Sequence, residues 1–235
     1  MTGSAKLWLA GLGGLALGAS AMALAQQGGR QSSRADVEAI VRDYLLTHPE
    51  ILPAAMQRLQ ARESASVVRA NRAAIETPFA GAWAGNPNGR VTLVAFFDYA
   101  CGYCRRANAD VERLLRDNPD LKVVWRELPV LGPPSQAAAE ASLAAARANR
   151  FGRFYKTLFA SGRPTPDNIA HARTAAGVTG TVPETVIRAE IDKNLRLAHA
   201  IGATGTPAFV VGDQVLLGAV GYDALNAAVR RARGA

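Results

Sequence analysis

The sequence predicts an α/β fold with a helical insertion and an N-terminal helical extension, and three observations carry that expectation. An apolar run, Val91 to Phe97, is followed by an amphipathic stretch and then by a second strand-like run, Leu121 to Trp125. Strand, helix and strand with short connections make a parallel unit with a right-handed crossover. Ala208 to Val211 and Gln214 to Leu217 flank Gly212-Asp213 and read as a hairpin. Between these two blocks, from about 133 to 200, the pattern is helical.

The N-terminus reads as a leader. Lys6 precedes an apolar, Gly- and Ala-rich stretch from Leu7 to Leu24, and no acidic residue occurs before position 36. Ala23-Leu24-Ala25 has the small-x-small form of a cleavage site, so residues 1–25 are expected to be a secretory signal peptide and 26–34 a flexible mature start. An uncleaved anchor is the alternative, though the stretch is near the lower length limit for spanning. Loss of the leader leaves about 210 residues, enough for one large domain with an appendage. The chain carries 27 Lys and Arg against 19 Asp and Glu, a net charge of +8. Its basic residues are scattered, Arg147, Arg150, Arg153 and Arg230 among them, without aromatic interleaving. That pattern favours a solvated surface, with at most an unspecific attraction to acidic surfaces, and no nucleic-acid partner is expected.

Residues 35–77 form the expected N-terminal helical segment. Val37, Ile40, Val41, Tyr44 and Leu45 share one face of a first helix. Thr47-His48-Pro49-Glu50 has the form of a capping box for a second helix bearing Ile51, Leu52, Met56 and Leu59, with Pro53 shifting or kinking its start. Two thin helices cannot bury such faces alone. Self-association through residues 35–76 is the favoured reading, and a connector lying on its own domain is the other.

Residues 78–235 form the expected main domain. Asn86 to Gly89 is a turn before the first strand. Asn118-Pro119-Asp120 stops the helix that follows. After Gly132-Pro133-Pro134 comes a long helical section, alanine-dominated from Ala137 to Ala148 and then aromatic through Phe151, Phe154, Tyr155, Leu158 and Phe159. These aromatics read as core. Thr165-Pro166-Asp167 starts another helix, which Gly177 should end. Thr181 to Glu184 caps a third, with Ile187, Ile191, Leu195 and Ala198 on one face. A last helix runs from Tyr222 to about Ala232.

The chemistry concentrates where the first strand hands over to its helix. Cys101-Gly102-Tyr103-Cys104 falls on that helix's first turn, and Ala107, Val111, Leu114 and Leu115 continue it as an amphipathic pattern. First-turn N–H groups lack intrahelical partners, and the helix dipole leaves about half a positive charge there. A thiolate at Cys101 is stabilised by both, which makes it nucleophilic near neutral pH. Arg105 and Arg106 add positive charge one turn on. Cys104 projects from the same side, so the pair can cycle between dithiol and disulfide: Cys101 attacks and Cys104 resolves. A structural disulfide across so short a loop would stabilise little. A zinc site needs about four ligands, and this chain has two cysteines and the scattered His48, His171 and His199. Two inert thiols do not explain the helix-start position. No metal or other cofactor is therefore expected beyond the redox-active pair Cys101–Cys104. An exported protein with no other cysteine belongs in an oxidising compartment, where its pair acts on the thiols of other proteins.

A second constellation, Gly202-Ala-Thr-Gly205-Thr206-Pro207, precedes the hairpin. Phe96-Phe97-Asp98-Tyr99-x-Cys101-x-x-Cys104, a helical insertion, and Gly205-Thr206-Pro207-x-Phe209-Val210 in that order resemble the DsbA-like branch of the thioredoxin superfamily, over about residues 78–233. The resemblance implies a thioredoxin-like fold, with Pro207 cis and lying against the cysteine sulfurs. It implies that the backbone of Thr206 pairs with an extended substrate segment. DsbA-type oxidases commonly hold Pro-His between the cysteines. Gly102-Tyr103 with Thr206 before the proline instead resembles disulfide isomerases of the DsbC and DsbG kind and the ScsC-type proteins of copper tolerance, which also carry an oligomerising N-terminal helical segment. Ala95 stands where DsbA-type strands often carry a buried glutamate for proton transfer; Glu127 or Asp98 could substitute. The resemblance thus implies a periplasmic oxidoreductase of protein disulfides with isomerase or reductase character. Its partners would be cysteine-containing exported proteins and a membrane redox partner, either a DsbD-like reductase or a DsbB-like oxidase. The rival readings are a net dithiol oxidase, a Cu(I)-handling protein using the two soft sulfurs, and a chaperone-like module cradled by the helical arm.

Overall fold

The computed structural model describes residues 33–234, so the expected leader and cleavage site lie outside the described residues. The chain divides into two compact units, one ending at Met56 and the other running from Gln57 onward.

The first unit contains α1 (Arg34–Thr47) and the opening turns of α2 (Ile51–Glu76). The capping box sits at the start of α1, not α2. The Ser33 Oγ accepts from the Asp36 amide, and the Asp36 carboxylate accepts from the Ser33 amide. Thr47, expected as a cap for the second helix, is the last residue of the first, and its hydroxyl donates to the Asp43 carbonyl at 2.8 Å. Its short side chain bonds back to its own helix, which removes it as a cap. Val37, Ile40, Val41 and Tyr44 are all exposed on α1.

The second unit is built on five strands: β1 (Trp83–Gly85), β2 (Val91–Phe97), β3 (Leu121–Glu127), β4 (Ala208–Val211) and β5 (Gln214–Leu217). Their order is β1-β3-β2-β4-β5. Only β2 and β3 pair in parallel, from Val91 opposite Leu121 to Phe97 opposite Glu127. The crossover between them is α3 (Gly102–Asp117), as the strand–helix–strand spacing predicts. The short edge strand β1 has no counterpart in the sequence reading. It lies antiparallel to β3 with Trp83 opposite Val124.

Both faces of the central strands are covered, which is why β2 reads as a continuous apolar run. Leu93, Ala95 and Phe97 pack into the larger core with α3 and the inserted helices. Val94 and Phe96 face the smaller core, where Val68 and Ile75 of α2 meet Leu197 and Ala198. The sequence puts a domain break near residue 77, but Val68 and Ile75 are fully buried and the compact unit takes in α2 from Gln57. Arg126 of β3 secures that helix end. Its guanidinium donates to the carbonyls of Ala74, Ile75 and Thr77, and to Glu190 and Asn194 on the opposite helix. Those carbonyls are the unpaired acceptors of a helix C-terminus.

The insertion holds four helices: α4 (Pro133–Arg147), α5 (Phe151–Ala160), α6 (Pro166–Ala176) and α7 (Glu184–Ala200). The sequence reading runs the first two together. They are separated at Asn149, which takes a left-handed φ of 56° while Arg150 N–H bonds the Ala145 carbonyl. This is the closing motif glycine usually supplies, and asparagine tolerates it. Gly177 ends α6 in the same way, as expected, at φ 70°. Thr181 does not cap α7, whose N-cap is Pro183 without a side-chain bond. The chain closes with α8 (Tyr222–Arg233). A parallel unit, a helical insertion, a terminal hairpin and a last helix make up the architecture that the resemblance implies. Among the described residues, no helix is long and apolar enough to cross a membrane.

Candidate active site at the start of the third helix

β2 delivers its C-terminal end into Asp98-Tyr99-Ala100, a turn fixed by its own side chains. Asp98 is 1% exposed, and both its carboxylate oxygens are engaged. One accepts from the Ala100 amide at 2.8 Å, the other from the amides of Val130 at 2.9 Å and Leu131 at 3.1 Å. Its main-chain carbonyl accepts from the Cys101 amide. Asp98 therefore ties the cysteine turn to the loop after β3. Tyr99 is buried against Phe97, Phe154 and Phe159, and its hydroxyl is 2.8 Å from the Ser142 Oγ on α4.

Cys101 is the N-cap of α3, one residue before the expected first turn, and its Sγ accepts the Cys104 amide at 3.4 Å. The Thr206–Pro207 peptide bond is cis, and the Cys101 thiol donates to the Thr206 carbonyl at 3.3 Å. The Pro207 carbonyl is held in turn by the Gly218 amide at 2.8 Å. The two motifs, about a hundred residues apart in sequence, thus meet at one sulfur. Gly102 and Tyr103 lie on the surface. Tyr103 is 61% exposed, with the Arg106 guanidinium 4.3 Å from its ring centre.

The two thiols sit in opposed environments, and both are free in the structure. Burial raises the Cys101 pKa, but hydrogen bonds from the Thr206 side chain and the amides of Cys104 and Tyr103 outweigh it and hold the thiol below its ordinary range. Burial drives Cys104 the other way, far above that range. The arrangement offers one reactive sulfur backed by one protonated, enclosed sulfur.

The two carboxylates singled out for proton transfer also separate. Asp98 is saturated by backbone amides. Glu127, at the top of β3, is 3% exposed with Oε1 unpartnered. Burial first, and then the charge of Asp98, push its pKa well above the usual carboxylate range. Ala95 lies beside Trp125 and Phe209 in the sheet, an apolar position. Three contributors escaped the sequence reading: Ser142, hidden in an alanine-rich helix, and Val130 and Leu131, whose backbone amides matter and leave no residue-type signal. Among the described residues, no group of three or more His, Cys, Asp or Glu is placed to hold a metal ion.

Residues 92–230 match the model of the DSBA-like thioredoxin domain. The chain belongs to this family. Residues 34–65 match a second model, the copper resistance protein ScsC N-terminal domain. This DSBA-like protein is 32% identical to a periplasmic thioredoxin-like protein from Salmonella enterica serovar Typhimurium, with a TM-score of 0.66 over 70% of this chain and 96% of that one. It is 27% identical to a linker-deletion mutant of Proteus mirabilis ScsC, with a TM-score of 0.72 over 87% of this chain and 97% of that one. It also aligns at 32% identity over 151 residues with a protein named Na(+)/H(+) antiporter NhaA 3 from Salinispora tropica, covering 60% of this chain. The chain spans 23% of the length of that curated relative.

Proposed function

We propose that this protein is a periplasmic thiol–disulfide oxidoreductase acting on protein disulfides through Cys101 and Cys104, with isomerase or reductase work favoured over net oxidation. The observation that carries the reading is the meeting of the α3 N-terminus, Cys101 Sγ and the cis Thr206–Pro207 bond. The family match and the likeness to a protein described as periplasmic support it.

In the reduced protein the Cys101 thiolate attacks one sulfur of a substrate disulfide. A mixed disulfide forms and the other substrate sulfur leaves as a thiolate. In isomerisation that thiolate, or another in the substrate, attacks in turn and releases Cys101 unchanged. In reduction Cys104 gives up its proton and attacks Cys101 Sγ. The second substrate sulfur then departs and the Cys101–Cys104 disulfide forms. Two electrons have passed to the substrate, and a membrane dithiol partner must return them. Thr206 supplies main-chain groups beside the sulfur for an extended substrate segment. Gly102-Tyr103 supports the isomerase preference by placing no cation between the cysteines, which leaves the thiolate less stabilised than a histidine would.

Refolding of scrambled ribonuclease, run beside oxidation of its reduced form, tests the direction. Reactivation is expected, and oxidation without reactivation removes the isomerase preference. Replacing Cys104 with Ala is expected to accumulate substrates linked to Cys101, and absence of adducts refutes the mechanism.

A second reading is Cu(I) handling by the two sulfurs, favoured by the match of residues 34–65 to a copper resistance domain. Titration of the reduced protein with Cu(I) against a competing chelator separates the two. Tight binding with slow thiol exchange supports the metal; the reverse supports the enzyme.

A further inference from the structure

The surface around Cys101 is charged on one side only. Three loops reach the cysteine turn through hydrogen bonds. The Val130 and Leu131 amides of Pro129–Gly132 bind Asp98, and the Thr206 carbonyl of Gly202–Pro207 accepts from Cys101. The Gly218 amide of Leu217–Gly221 binds the Pro207 carbonyl. None of these loops contains a charged residue. Asp98, the acid of the turn itself, is buried and engaged by backbone amides. The helix that begins at the cysteine turn supplies the opposite sign. Arg105 and Arg106 follow Cys104 directly, and neither forms an ion pair among the described residues.

Arg106 is held in place. Helical side chains lean toward the N-terminus, and its guanidinium lies 4.3 Å from the ring centre of Tyr103, three residues back. Cation and ring attract at that distance. Both side chains are exposed, and the Tyr103 amide bonds the Cys101 sulfur. The Cys101 thiol owes its low pKa to hydrogen bonds. The two arginines are therefore left to act on whatever approaches, on a surface with no competing carboxylate in the three loops.

We propose that Arg105 and Arg106, the second carried by Tyr103, select disulfides whose cysteine is flanked by acidic residues. The inference rests on the redox reading above and names the class of segment that the site prefers. Two residues of extended chain span about 7 Å, so a carboxylate that close to the substrate cysteine meets the cation as the disulfide meets Cys101. A lysine in its place is repelled.

The test uses the reduced whole chain and the symmetric disulfide of a short peptide, its cysteine flanked on both sides by Glu, Gln or Lys. Cys101 displaces one peptide as a thiolate and Cys104 displaces the other. The protein ends as the Cys101–Cys104 disulfide, and two electrons have passed to the peptides. Each rate of thiol release is divided by that of dithiothreitol with the same peptide, which removes the disulfide's own reactivity. A preference of about fivefold for Glu over Lys is expected at about 0.01 M salt, falling toward one at about 1 M. Arg106→Glu should reverse the preference, and Arg105→Gln with Arg106→Gln should abolish it. Arg230→Glu makes the same change of net charge on the exposed last turn of α8, where Arg233 binds Asp120 ahead of β3, and should leave the preference in place. Equal normalised rates in the wild type overturn the inference. So does a preference that survives Arg106→Glu, or one that Arg230→Glu removes as fully. If Arg106→Glu fails to fold, the double Gln variant decides. Reaction of all three peptides at equal rates refutes the selection alone, whereas reaction of none refutes the redox reading and the inference with it.

Discussion

Cys101 and Cys104 share a turn but not an environment, and the contrast makes two pH-dependent predictions. The ultraviolet absorbance of the thiolate in the reduced protein should rise below the ordinary cysteine pKa of about 8.5. It should vanish from that range in Cys101→Ser and persist in Cys104→Ala. Because the folded pKa of Cys101 lies below the unfolded one, the unfolded chain holds more protons between the two. The stability of the reduced protein therefore rises with pH through that window, and the contribution is lost as pH falls through the folded pKa. Glu127 works in the opposite sense. Its folded pKa is raised, so the stability of the fold falls progressively as pH rises from the unfolded carboxylate value of about 4.3 toward the folded pKa. Glu127→Gln should stabilise the protein at neutral pH by about 1–3 kcal/mol and flatten its urea-midpoint profile above that value. An unchanged profile means that Glu127 is not held neutral. Asp98→Ala should cost about 2–4 kcal/mol in the same measurement, since three backbone amides lose a buried charged acceptor.

At the scale of elements, the chain depends on one buried arginine to fasten the end of α2. Arg126 is 1% exposed and answers three helix-terminal carbonyls as well as Glu190. Arg126→Met should destabilise the second unit by about 3–5 kcal/mol, because the carbonyls and Glu190 are left buried and unanswered. Chemical denaturation checks it. α1 poses the reverse problem, an apolar face with nothing on it within its own unit: Ile40 is 64% exposed and Tyr44 53%. The proposed self-association predicts that sedimentation finds the wild type larger than a monomer. It also predicts that Ile40→Asp with Tyr44→Asp returns it to a monomer without moving the Cys101 titration. A monomeric wild type would refute that proposal.

For the whole molecule, what could be read in advance follows from where each signal is stored. The parallel unit, the hairpin and the cysteine turn were legible because period and residue type are local: Val91 to Phe97 is an unbroken apolar run, and Cys101 to Cys104 carries its own spacing. Thr206 and Pro207 came with the resemblance; in the structure the bond between them is cis and the Thr206 carbonyl accepts from Cys101. The divide between α4 and α5 was not legible, because Asn149 adopts a backbone state that glycine would have announced. Nor was the assignment of residues 57–76 to the main unit, since Val68 and Ile75 look like any sparse helical pattern until β2 and β3 offer them a surface. Thr47-x-x-Glu50 and Ser33-x-x-Asp36 have the same spacing in sequence, but only Ser33 stands directly before a helix's first residue, whereas Thr47 is itself the last residue of one. The enclosure of Cys104 has an effect on how this protein ages. Of the two cysteines, peroxide meets one reactive thiolate, and the sulfenic acid formed on Cys101 has the Cys104 thiol beside it to condense to a reversible disulfide before a second oxygen is added. Mass spectrometry of the peptide holding Cys101 and Cys104 after peroxide treatment should therefore find the loss of two hydrogens in the wild type, and sulfinic and sulfonic Cys101 only when Cys104 is replaced.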